Sequence, residues 1–312
     1  MNAVPVAELL ASGGELASLK LVVDDADLDR VIAKPRIQKS GLALVGHVFG
    51  IDPRRIQVLG ETELSYLDRL APVARSEASA AFFSLGLSCA VVTRGASPPP
   101  ELLAAAAATR TALVVSPSRS SATITALHDY LDDRLAETTT VHGVLLDVFG
   151  LGVLVLGKSG IGKSEAALDL VARGHRLVAD DVVRLSLRPR REILGSPVGM
   201  LRHHLEVRGL GILDVRELFG IVAVAESKRV NLVVELVEWR DDEPYDRLGL
   251  DAKQHVLLGV ARPLVTVPVK PGRDMAVIIE IAARNELLKQ TGHSSAERFA
   301  AELDRQLAKG KR

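Results

Sequence analysis

One eight-residue stretch constrains this chain more than any other. Gly157, Lys158, Ser159, Gly160, Ile161, Gly162, Lys163 and Ser164 fit the pattern G-x-x-x-x-G-K-[ST] without exception. An apolar run at 153–156 precedes it and reads as a strand; an amphipathic run at 165–173 follows and reads as a helix. A strand, a glycine loop and a helix in that order form a phosphate-binding unit inside an α/β fold. The glycines let the backbone curl until several amides point at phosphate oxygens. Lys163 is expected to reach the terminal phosphates of a nucleotide and Ser164 to ligate Mg²⁺, with the positive end of the helix beneath them. The strand-and-helix context disfavours the alternative, a tight glycine turn with no ligand.

The rest of the chain has room for about two domains. Residues 55–59, 90–92 and 112–115 read as strands, and 61–70, 77–85 and 101–108 as helices, with prolines at 98–100 punctuating one connection. This alternation predicts a small α/β amino-terminal domain over 1–134 with a largely parallel sheet. It closes on a helical pattern at 118–135, where Ile124, Leu127, Leu131 and Leu135 share a face. A change of composition at 137–140 opens a second domain over 135–312. There, apolar runs flank Phe149 to Gly152 as in a hairpin, further strands are expected at 176–179, 182–187, 230–237 and 264–269, and helices at 275–288 and 295–307.

Composition narrows the functions. Lys plus Arg and Asp plus Glu are 39 each, so the chain lacks the positive charge of a general nucleic-acid binder. No apolar run reaches the roughly 20 residues of a membrane span, and the amino terminus lacks the basic and apolar regions of a secretory signal. A single cysteine, Cys89, allows no internal disulfide and suits a cytoplasmic location; its apolar neighbours make it a core residue.

Polar clusters say where a phosphate would go. The run at 176–181 is an apolar strand ending in Asp180 and Asp181, the form expected of a Mg²⁺ site beside a phosphate loop. The plainer reading is that the two aspartates only end a strand. Common P-loop enzymes place their acidic strand farther along, so the spacing implies a distinct P-loop architecture. Residues 205–214, with Glu206 and Arg208, and residues 268–273 mix glycine or proline with charge, and each alone reads as a solvated turn. Arg184, Arg188, Arg190 and Arg191 read as an exposed hairpin. His203 and His204 are adjacent, which is not a metal-binding spacing.

Taken together and in order, His142 with Gly143, the loop at 157–164, and the runs 174–181, 205–211 and 268–273 resemble the bifunctional HPr kinase/phosphorylase family; 34–43 resembles its amino domain. The resemblance implies a carboxyl half related to the P-loop fold of phosphoenolpyruvate carboxykinases, with a mixed sheet, and a homohexamer built through those halves. It implies that ATP or pyrophosphate phosphorylates one serine of HPr, and that phosphate attacks phosphoserine to release pyrophosphate. Ser164 and Glu206 would hold Mg²⁺, with Asp180 helping through water. Lys163 and Arg247 would neutralise charge, and Asp181 would exchange the serine proton beside His142. Pro268, Val269, Lys270, Pro271, Gly272 and Arg273 would serve phosphorolysis. Two other readings compete: a small-molecule or carboxykinase-like kinase, and a nucleotide-sensing module without transfer chemistry. Asp181 and Arg247 disfavour the module, since sensing needs no proton acceptor.

Overall fold

Parallel strands dominate the first part of the chain and a mixed sheet the second, and the chain divides into two units, Met1–Glu137 and Thr138–Arg312. The computed structural model describes residues 3–199, 202–240 and 253–292. The expected helix at 295–307 lies outside them.

In the amino unit five strands line up in the order Lys20–Leu21, Ala112–Val115, Cys89–Val92, Ile56–Leu59 and Gln38–Lys39. The last four are parallel and the first is an antiparallel edge. Every residue of Ile56–Leu59 and Cys89–Val92 is buried, as expected when both faces of a parallel sheet are covered. Alternate side chains serve opposite faces: Leu59, Val92 and Leu113 pack with Phe82 and Phe83, whereas Val58, Val91 and Val114 pack with Leu127 and Leu131. Cys89 lies in the second core, fully buried, and burial pushes its thiol up to about 12.

One helix differs from the sequence expectation. The segment read as 77–85 is a helix over Pro72–Phe83, starting five residues earlier with proline in its first turn. Pro72 and Val73 face solvent, so the apolar periodicity that marks the rest of the helix is missing at its start.

The carboxyl unit has a six-stranded sheet in the order Arg176–Ala179, Val144–Val148, Leu151–Gly157, Leu232–Glu238, Val260–Val269 and Gln254–Leu257. Leu151–Gly157, Leu232–Glu238 and Val260–Val269 pair in parallel, and the remaining neighbours in the sheet pair antiparallel. Val144–Val148 and Leu151–Gly157 form a hairpin closed by Phe149 and Gly150, both with positive φ, the two-residue turn that matches strand twist. Helices Lys163–Ala172 and Met275–Gln290 share a core with this sheet through Ala166, Leu170, Ile279 and Ala283. Truncating Leu170 to alanine there should cost about 2–5 kcal/mol. A further core holds Leu145 and Leu154 against Val183, Leu185 and Ile193 of a four-stranded antiparallel sheet. That second sheet contains Thr138–His142 and Val182–Arg188, and so fixes the residues around Asp181. Among the described residues, no helix is long and apolar enough to cross a membrane.

Candidate active site

The phosphate loop leaves the parallel strand Leu151–Gly157 and enters the helix Lys163–Ala172. Gly157, Gly160 and Gly162 all have positive φ, which costs glycine little and other residues much more. At Gly160 φ is 78°, which disfavours a side chain, and the Arg208 guanidinium packs close over the position, 2.7 Å from where a Cβ would lie. Lys163 Nζ donates to the carbonyls of Gly157 and Lys158, each at 3.0 Å, so its charge is held at the start of the loop.

Asp180 sits against this loop. Ser164 Oγ lies 3.1 Å from both of its carboxylate oxygens, and the backbone amide of Glu206 donates to Oδ2 at 3.1 Å. Ser164, Asp180 and Glu206, distant in sequence, therefore meet at one place. Burial raises the Asp180 pKa above the usual carboxylate value, a rise that the Glu206 amide and the Ser164 hydroxyl oppose. The Asp180 carboxylate and the Ser164 hydroxyl offer oxygen donors of the kind that suit Mg²⁺, and the backbone of Glu206 is brought beside them.

Asp181 faces the other way. Its φ is 63°, and the amide of Val182 donates across it to the Asp180 carbonyl at 2.8 Å, a three-residue turn in the rarer, strained sense. Non-glycine residues in such conformations store about 1–3 kcal/mol and cluster at functional sites. Pairing of Val182 with His142, and the Gly143 amide donating to the Asp181 carbonyl at 3.0 Å, hold the turn in place. The result is an exposed carboxylate whose Oδ1 lies 3.8 Å from His142 Nδ1.

The loop at 268–273 follows the parallel strand Val260–Val269, two strands from the phosphate loop. Lys158, Ser159, Gly160 and Ile161 share a cleft of about 580 Å³ with Val269, Lys270 and Pro271. Arg273 donates to the Pro268 carbonyl at 2.8 Å and closes the turn that Gly272 makes with positive φ. Lys270 Nζ and the Arg273 guanidinium carbon lie 5.0 and 5.9 Å from the centre of the Trp239 ring, within cation–π range. Arg247 lies outside the described residues.

Two residues of this site escaped sequence reasoning as individuals. Arg208 stood inside a motif, but nothing local indicated that it packs on Gly160. Trp239 is the only tryptophan of the chain, and that rarity was the one available signal.

Fold and site define a mixed α/β protein with a P-loop type of phosphate cradle set against two aspartates of opposite exposure. The chain belongs to the HPr serine kinase family: residues 4–131 match the description "HPr Serine kinase N terminus" and 133–303 "HPr Serine kinase C-terminal domain". Among similar proteins is the HPr kinase/phosphorylase of Geobacter sulfurreducens, 44% identical over 305 residues, covering 97% of this chain and 96% of that one. Another is that of Geobacillus thermodenitrificans, 40% identical, with 96% of each chain covered. A solved structure of the Hpr(Ser) kinase/phosphatase from Coxiella burnetii is 35% identical, covering 52% of this chain and 98% of that one, with a TM-score of 0.46.

Proposed function

We propose that this protein transfers a phosphoryl group from ATP or pyrophosphate to a serine hydroxyl of HPr, and that it removes the group by phosphorolysis, releasing pyrophosphate. The observation that carries the reading is the division between adjacent aspartates. Asp180 is desolvated against the P-loop hydroxyl, whereas Asp181 is turned into solvent beside His142. Family membership supports it over the full length.

Phosphoryl transfer has a loose transition state, so the protein's task is to position the reactants and neutralise charge. The loop amides and Lys163 hold the terminal phosphates. Ser164, Glu206 and Asp180 are the residues that would hold Mg²⁺; the ion, when bound, supplies positive charge to the phosphate oxygens. Asp180, hydrogen-bonded to the Ser164 hydroxyl at 3.1 Å, orients that hydroxyl and helps hold the ion through water. Asp181 accepts the proton as the serine oxygen attacks and, in phosphorolysis, returns it to the departing serine oxygen. His142 orients that carboxylate. Arg208 over the loop and Arg247 add cationic charge, and Lys270 and Arg273 hold inorganic phosphate for the return reaction.

On this reading the carboxyl unit is related to the phosphoenolpyruvate carboxykinase type of P-loop fold, and the protein is a cytoplasmic homohexamer assembled through that unit. Exposed Leu218, Ile221 and Val222 supply apolar surface for such assembly. The test is incubation of the full chain with labelled ATP, Mg²⁺ and purified HPr. Label on a serine of HPr, removed again by phosphate with release of pyrophosphate, is expected; no label on HPr, or label only on a small molecule, would refute it.

A further inference from the structure

The amino unit holds a polar cavity of about 370 Å³ that the phosphotransfer chemistry does not use. It lies beyond the carboxyl ends of neighbouring parallel strands, the edge where open α/β sheets bind ligands. Gly60 follows Ile56–Leu59, Thr93 and Arg94 follow Cys89–Val92, and Ser120 begins the helix reached after Ala112–Val115. These loops converge closely. Thr93 Oγ1 and Ser120 Oγ are 2.6 Å apart, and a Cβ on Gly60 would lie 3.0 Å from Ser120 Oγ.

The charges around this cavity are unevenly committed. Glu61 is taken by Arg94 at 2.6 Å, and Glu63 accepts from the Gly60 amide at 2.8 Å. Two further cations line the cavity, Lys39 and Arg119; both are exposed to solvent, and neither has an ion pair among the described residues. The helices differ in the same sense. Glu61–Arg69 has two acidic residues in its first turn, one of which, Glu63, accepts from the amide of the capping Gly60. Ser120–Arg134 has no side-chain cap and no acid in its first turn, so it brings no negative charge to the cavity that its Ser120 and Ser121 line.

We propose that this cavity is an oxyanion site that takes the phosphate group of a small molecule between Lys39 and Arg119. Its volume is near the lower limit of small-molecule pockets, and it has no aromatic lining on which a base could stack. The ligand is therefore a phosphate with at most a few carbons attached, not a nucleotide. The inference does not depend on what the carboxyl unit phosphorylates.

The experiment is calorimetric titration of the full chain with glycerol phosphate and, separately, with inorganic phosphate, in a Lys163→Ala background that weakens the phosphate loop. One site per chain is expected. Adding Lys39→Ala and Arg119→Ala should weaken binding at least about 10-fold, because two charge-assisted contacts are lost. Arg119→Lys, which keeps the charge, should weaken it less than Arg119→Ala. In the otherwise wild-type chain the double change should leave phosphotransfer unaltered, which checks the fold. Tighter binding of glycerol phosphate assigns an organic phosphate; equal binding assigns free phosphate. Absence of binding, or binding that the double change does not weaken, would overturn the proposal.

Discussion

Both units run parallel strands into loops that start helices, yet only the carboxyl unit does so on a glycine-rich loop. At 157–164 three glycines with positive φ bend the backbone itself, so that main-chain amides become the binding surface. In the amino unit the corresponding turns are partly occupied by their own side chains, with Glu63 on the Gly60 amide and Glu61 on Arg94. The second contrast is burial of charge. Asp180 is desolvated and its pKa raised, so an added cation relieves a cost already present. Glu61 lies exposed in an ion pair of the kind that contributes little. A site for chemistry thus differs from a site for binding by backbone curvature and by a buried carboxylate.

The contrast breaks most readily at Lys163. Lys163→Ala should cut phosphotransfer by about 10³-fold or more, the upper range for removing one preorganised group at a transferring phosphate, while leaving the thermal midpoint of the protein nearly unchanged. Rates on HPr and a melting curve check this. A variant that kept its activity would reduce the loop to a turn.

A smaller effect is expected two strands away. Arg273→Ala should lower phosphorolysis about 10-fold through loss of a charge-assisted contact to phosphate, and kinase activity by clearly less. Parallel assays of the two directions decide it, since equal losses would make 268–273 a structural turn serving both.

The smallest effect belongs to the amino sheet. Cys89 is fully buried with its thiol raised to about 12, so it should resist a disulfide reagent in the folded protein and react once in denaturant. Reaction under native conditions would show that this sheet opens readily.

Much of this was legible in the sequence because it is local. The loop at 157–164 states its own geometry, and the strands at 112–115 and 176–179 are bounded where their apolar runs end. Pro72–Phe83 was mistaken at its start because proline at the first helical position, not an apolar buried face, opens the helix. That Glu206 joins Ser164 and Asp180 was anticipated only through family resemblance, since nothing in residues 164–206 encodes the hydrogen bond from the Glu206 amide to Asp180. The turn at Asp181 was equally hidden. Aspartate tolerates positive φ better than most residues, but the turn is held by pairing between Val182 and His142, which are 40 residues apart.

The division between the two aspartates is what a single comparison can decide. Asp181→Asn keeps the shape of the side chain but cannot accept a proton, and positioned acid–base groups contribute about 10²–10⁴-fold in rate. Calorimetry of ATP with Mg²⁺ and both activities on HPr and its phosphoserine form should be measured for Asp181→Asn and Asp180→Asn side by side. Asp181→Asn should lose turnover on that scale in both directions with ATP affinity little changed, while Asp180→Asn should lose Mg²⁺-dependent ATP affinity as well. If ATP affinity collapses in Asp181→Asn together with turnover, Asp181 is a metal ligand and the proton is handled elsewhere.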